Sequence, residues 1–176
     1  DFENKVVSDW ETPGQINFYN LTGKSFSNSF QAQFSYTLSN SIDFLFAYKN
    51  TVAETDYSSH GRLKNPLTPS DRIFFNVAYN GPTNDKGKNW KYDFTFNHVG
   101  QQRLPSTQNN PSEYRLSDTS ERLNLINTQI TRVFSDSFQL YLGVENLTNY
   151  RQKNTILGSD DPFGDYFDAT YIYGPI

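Results

Sequence analysis

The chain of 176 residues carries 15 Lys+Arg against 19 Asp+Glu, a formal net charge of −4, and no Cys. Disulfide-stapled folds and thiolate metal centres are therefore excluded, and an acidic balance with pI ≈ 5.1 argues against a nucleic-acid partner, which needs a basic face. Hydrophobic residues are only 35% and mean hydropathy is −0.72, yet aromatics reach 16%, too many for disorder, and the longest apolar run falls well short of the ~18 residues of a membrane helix.

The first residues, Asp1-Phe2-Glu3-Asn4-Lys5, show no leader pattern, so an exported protein would carry its signal outside this chain. From there the hydrophobic period is two, carried by Phe, Tyr, Ile, Val and Thr, and it predicts strands with no convincing helix. Over residues 30–38, Phe30, Ala32, Phe34, Tyr36 and Leu38 alternate with Gln31, Gln33, Ser35 and Thr37. A second strand sets Ile42, Phe44, Phe46 and Tyr48 against Asp43, Leu45, Ala47 and Lys49, and a third sets Ile73, Phe75, Val77 and Tyr79 against Phe74, Asn76, Ala78 and Asn80. The fourth has Trp90, Tyr92, Phe94, Phe96 and His98 on one face and Lys91, Asp93, Thr95 and Asn97 on the other. In the fifth, Ile126, Thr128 and Ile130 oppose Asn127, Gln129 and Thr131; in the sixth, Phe138, Leu140, Leu142 and Val144 oppose Gln139, Tyr141, Gly143 and Glu145. None of these apolar-face positions is Asp, Glu, Lys or Arg, whereas Asp43, Lys49, Lys91, Asp93 and Glu145 stand on the opposite faces.

Two environments produce such strands. A β-sandwich buries the apolar face in its core, and a membrane barrel turns it to lipid with the polar face toward a wet lumen. Connection lengths separate the two. Tight turns at residues 39–41 and 135–137 and the turn-forming stretch 81–88 alternate with long polar segments at 58–71, 100–121 and 151–168. That alternation is expected of an up-and-down meander with short periplasmic turns and long external loops. Aromatics agree with the same orientation: Tyr36, Phe44, Tyr79, Trp90, Tyr92, Phe134 and Phe138 fall near the short turns, and Tyr48, His98 and Tyr150 toward the long loops.

The run Tyr141-Leu142-Gly143-Val144-Glu145-Asn146-Leu147-Thr148-Asn149-Tyr150 resembles the penultimate-strand motif of TonB-dependent outer-membrane receptors. Phe18-Tyr19-Asn20-Leu21-Thr22-Gly23-Lys24-Ser25, followed by Asn28-Ser29-Phe30-Gln31-Ala32-Gln33, looks like the start of a descending barrel strand in that family. Asp160-Asp161-Pro162-Phe163-Gly164, with Tyr166-Phe167-Asp168 and Tyr173-Gly174-Pro175-Ile176, is similar to the last external loop of Bacteroidota receptors of this type. The resemblance implies a barrel of about 22 strands plugged by an amino-terminal domain. It implies TonB-energised, ligand-gated uptake of a bulky nutrient such as a siderophore, cobalamin, glycan or peptide across the bacterial outer membrane. Expected partners are outer-membrane lipid, the TonB complex through a plug outside this chain, the nutrient, and a surface lipoprotein, with no nucleic acid. The fold expected is thus all-β, an antiparallel up-and-down transmembrane β-barrel segment of about six strands over residues 1–176, with the closing strand absent. A soluble extracellular β-sandwich that binds glycans, or a structural barrel subunit of an envelope complex, are the alternative readings.

Enzymatic signatures are missing from the sequence, which contains no Gly-x-Ser-x-Gly, phosphate-cradling glycine loop or His-Glu-x-x-His, so no residue is assigned to catalysis, a metal or a cofactor. His98 is expected as an interfacial aromatic and His60 as a solvated loop residue. Asp160, Asp161, Asp165 and Asp168 are expected in a turn-rich loop that folds on itself rather than in a calcium site, since their spacing is not that of an EF-hand. Lumen-facing charges are read as structural pairs. The candidate substrate contacts are Arg103, Tyr114 and Arg115 in the longest loop, because loops on rigid scaffolds carry function and Arg and Tyr are frequent recognition residues.

Overall fold

The computed structural model describes residues 5–12 and 15–176. Residues 1–4, where the leader pattern was sought, and residues 13–14 lie outside that description. Nine strands form among the described residues: β1 (Val6–Asp9), β2 (Asn17–Asn20), β3 (Ser25–Leu38), β4 (Ile42–Tyr57), β5 (Gly61–Lys64), β6 (Asp71–Asn80), β7 (Asn89–Val99), β8 (Leu123–Ser135) and β9 (Phe138–Val144). Six of them are the predicted strands, most extended at one or both ends, in a purely antiparallel meander of order β3-β4-β6-β7-β8-β9. Three short strands have no counterpart in the sequence reading. β1 and β2 pair as a separate hairpin, and β5 folds back on the outer end of β4, pairing Glu54 with Lys64 and Tyr57 with Gly61. Four residues give too few alternations for a period-two signal to stand out, which is why the 58–71 segment reads as loop.

The pairing register keeps the two faces apart across the whole sheet. Tyr36 faces Phe44, which faces Val77, then Phe94 and Thr128; one row on, Phe34, Phe46, Phe75, Phe96 and Ile126 are opposed in turn. Because a slip of one residue would turn a strand's side chains to the other side, this pattern specifies register strongly. The apolar face is bare. Phe34, Phe46, Phe94 and Leu140 are 61%, 42%, 38% and 62% exposed, and among the described residues no second layer covers them. The sheet is open, with β3 and β9 as its edges, and is not closed into a barrel. A positive charge, Arg132, stands on the apolar face at its short-turn rim, and carboxylates of Glu54, Asp56 and Asp71 share that side at the long-loop rim. Arg132 pairs in register with Trp90 and Leu140, and its guanidinium lies 4.8 Å from the Trp90 ring centroid and 5.8 Å from that of Phe134.

Short connections hold one end of the sheet. Residues 39–41 make a single 3₁₀ turn with Ser39 at φ 54°, residues 81–88 are organised by Asn84, whose side-chain oxygen accepts from the Lys86 and Lys88 amides, and β8 passes to β9 through Asp136 and Ser137 beside a bulge. Paired aromatics, Tyr79 with Tyr92 and Phe134 with Phe138, sit near this end with ring centroids 5.9 and 5.5 Å apart. The polar face carries short-range networks instead of a core. Asn76 donates to Asp93 Oδ1 at 3.1 Å and to the Thr95 hydroxyl at 3.0 Å, and Thr37 donates to Asp43 at 2.7 Å. The charges expected to face inward at Asp43 and Asp93 are thus hydrogen-bonded to neighbouring strands.

Candidate functional site in the loop assembly

Burial in this protein is concentrated at the long-loop end. Leu104, Leu157 and Tyr171 form a small core that Leu67, Leu116 and Tyr173 flank, drawing together three long connections and the carboxy-terminal segment. Ala53, Thr55 and Tyr57 on β4 and Leu123 on β8 are also buried. By strand alternation they share the face of Lys49 and Asn127, so the loops fold inward over the end of the polar face while the apolar face stays uncovered.

Two clamps hold the assembly. Arg103 donates from both terminal nitrogens to Glu11, at 2.9 and 2.6 Å, and from Nε to the Lys64 carbonyl. The two side chains are 15% and 3% exposed, so the 100–121 loop is tied by a desolvated bidentate pair to the loop between β1 and β2. Tyr19 strengthens that attachment by donating to Asp9 at 3.1 Å and accepting from the Ser58 amide. The second clamp is Gln152. Its amide nitrogen donates to the Tyr171 carbonyl at 2.7 Å, its side-chain oxygen accepts from the Tyr173 and Gly174 amides at 2.8 and 3.0 Å, and its own backbone N–H donates to Pro175. Burial pushes the Tyr171 hydroxyl up to about 12, aided by the negative charges of Asp168 and Glu11. Burial together with Tyr173 and Glu121 likewise raises Tyr150, whose hydroxyl donates to Glu121.

Tyr114 ends a 3₁₀ turn at Ser112–Tyr114 and stacks on Tyr166, with centroids 5.1 Å apart and rings within 15° of parallel. The pair lines a cavity of about 310 Å³ with Gly158, Asp161, Gly164, Asp165 and Phe167. Asp160 is the main cause of an upward shift at the Tyr114 hydroxyl, which stays protonated and able to donate. Gly158 sits at φ 58°, and a Cβ there would meet the Tyr166 carbonyl oxygen at 2.9 Å, so glycine permits the close approach that shapes the cavity floor. Successive turns, from the Asp161 amide to the Gly158 carbonyl and from the Gly164 amide to the Asp161 carbonyl, fold residues 158–168 on themselves, as expected of a turn-rich loop containing Pro162 and Gly164. Asp168 closes the loop by accepting from the Thr170 amide and hydroxyl. Flat aromatic faces beside two carboxylates suit a ligand that brings a ring face and hydrogen-bond donors, not an anion.

The three candidate contacts do not converge. Tyr114 lines the cavity. Arg103 is committed to Glu11, and Arg115 donates from Nε to the Asn110 carbonyl at 2.7 Å, within its own loop. His98 lies at the loop-side rim of the apolar face, with Nδ1 2.7 Å from Asn124 Oδ1 and Nε2 3.4 Å from Asp71, and His60 is exposed in the β4–β5 turn. Glu11 and Gln152 escaped the sequence reading, and Tyr166 was read only as part of the last external loop, with no site role. Glu11 is 92 residues from its partner, and no local pattern announces a contact at that separation. Comparison of the chain with protein-family models, with curated proteins and with solved structures finds no match.

Proposed function

We propose that this chain is a segment of a bacterial outer-membrane β-barrel of the TonB-dependent receptor type, which takes up a bulky nutrient by binding it at the outer loops and releasing it inward through a conformational change. The observation that carries the reading is a single-layer sheet whose apolar face is bare and whose loops close over the polar face. In water, a face so rich in exposed Phe, Tyr and Leu is a liability, and a soluble sheet covers it. In a bilayer, lipid covers it.

Dimensions support the same reading. On β3 the uninterrupted apolar row from Phe30 to Leu38 spans about 27 Å of strand at ~3.4 Å per residue, or about 21 Å when tilted by ~40°, against the ~25 Å band of outer-membrane barrels. Open edges on β3 and β9 also call for further strands, because unpaired backbone groups are not tolerated in lipid. The cavity beside Tyr114 and Tyr166 lies among the loops, where an incoming ligand first meets the protein. TonB coupling and a plug are read from the motif resemblance at residues 141–150 and 160–176, and they describe the whole receptor rather than this segment.

The test is cell fractionation of a strain that expresses the protein, with heat-modifiable electrophoretic mobility as the sign of a closed barrel. Recovery in the outer membrane, with a mobility shift on boiling, is the expected result. Release into the aqueous fraction as a compact monomer without detergent overturns the proposal in favour of a glycan-binding sandwich.

A further inference from the structure

Arg132 stands on the apolar face at a defined depth, at the end away from the Asp71, Glu54 and Asp56 carboxylates of the long-loop rim. It lies four residues from Thr128, which shares the middle row with Phe94, so about 14 Å of strand separate it from the band's centre. Corrected for a tilt of ~40°, that is about 10 Å, close to the ~12 Å half-height of the apolar band. A guanidinium on a flexible stem then reaches the level of lipid phosphates. Lys88 lies two residues before Trp90 in the adjoining short connection, which also holds Asp85 and Lys86.

Its local chemistry is that of a prepared anion ligand. Trp90 and Phe134 hold the guanidinium against their rings, at 4.8 and 5.8 Å, which restricts the side chain and leaves its N–H edge for hydrogen bonding. Among the described residues Arg132 makes no ion pair and no side-chain hydrogen bond, in contrast to Arg62 and Arg103, whose carboxylate partners are Asp56 and Glu11. A guanidinium fork with no carboxylate matches a phosphodiester in shape and charge. Leu140, its register neighbour on β9, is 62% exposed and offers apolar surface for an acyl chain directly beside it.

We propose that Arg132, clasped by Trp90 and Phe134 at the short-turn rim of the apolar face, binds the phosphodiester headgroup of a glycerophospholipid. The proposal rests on the membrane reading above and adds to it a specific lipid site on the leaflet that the short turns face.

The experiment uses the whole protein extracted from membranes in mild detergent, with native mass spectrometry counting bound lipid. Phosphatidylglycerol is the probe, and a galactosyl diacylglycerol with the same acyl chains is the phosphate-free control. Parent protein is expected to retain phosphatidylglycerol over the galactolipid, and Arg132→Gln to lower phosphatidylglycerol affinity about tenfold or more while leaving galactolipid binding unchanged. Equal phosphatidylglycerol binding by parent and Arg132→Gln, with both proteins in the membrane, overturns the lipid site and leaves the membrane reading standing. A protein that is water-soluble and binds neither lipid overturns both. Should Arg132→Gln fail to reach the membrane, Arg132→Lys carries the test, since it keeps the charge but lacks the planar fork: a several-fold loss of affinity supports the site and unchanged affinity overturns it.

Discussion

Replacing Phe94 with arginine puts a charge at the centre of the apolar face. Phe94 stands on β7 between Val77 and Thr128, four residues from Trp90 at one rim and four from His98 at the other. About 14 Å of strand therefore separate it from either rim, too far for the new side chain to bring its whole charge to water. A lipid-facing arginine at that depth costs roughly 2–4 kcal/mol, which at about 1.4 kcal/mol per tenfold is a 30- to 700-fold loss in the folding equilibrium. In water the magnitude differs. The site is 38% exposed, and a surface charge there changes stability by no more than about 0.5 kcal/mol. Gln129→Arg is the matched control, because Gln129 stands on the polar face opposite Asp93, where an added cation gains a partner. The assay is urea-dependent folding of the whole protein into lipid vesicles, followed by heat-modifiable mobility. Phe94→Arg is expected to lower the folded fraction strongly and Gln129→Arg to leave it near that of the parent. Equal folding of the two variants refutes the assignment of the apolar face to lipid.

Arg103→Ala leaves the buried Glu11 carboxylate unpaired, and a cost of about 3–5 kcal/mol is expected to free the β1–β2 hairpin, read as faster proteolysis after its flanking residues Lys5 and Lys24. Gln152→Ala removes the partner of one carbonyl and two amides and is expected to accelerate amide hydrogen exchange at Tyr173 and Gly174 by more than tenfold. Gly158→Ala, strained by its positive φ and by the Tyr166 carbonyl, is expected to destabilise the cavity loop by about 2 kcal/mol, seen as earlier local melting of the Tyr114–Tyr166 stack in near-ultraviolet circular dichroism. Tyr171 titrates higher in the folded protein than the ordinary value of 10.0. Its contribution is therefore complete below about pH 10 and is lost as pH rises toward about 12. A pH titration of the loop assembly should show this loss, and Tyr171→Phe should remove it.

Strand identity, face polarity and the alternation of short and long connections were legible because each is local. A period of two needs only neighbouring residues, and the six long runs carry enough repeats to stand out. Register was not read from the sequence, but those faces constrain it, since a slip of one residue would expose Asp93 among Phe and Tyr. The candidate site was less legible. Tyr114 was placed at a cavity and Arg103 in a clamp, although both are loop residues of recognition type and nothing in their neighbourhood distinguishes them. Arg132 was passed over because the fifth strand's alternation fades after Thr131; only the pairing with Trp90 and Leu140 puts it on the apolar face.

The amino-acid sequence by itself determined that the chain is all-β, that its strands are two-faced, and that one end carries turns and the other loops. Alternation of side chains along an extended backbone needs no partner to be read. Tertiary structure decided which side the loops close over, that Glu11 holds Arg103, that Gln152 anchors the carboxy-terminal segment, and that the apolar face lies bare. Each of these depends on contacts between residues far apart in the chain, and such contacts exist only after the loops have folded inward over the polar face.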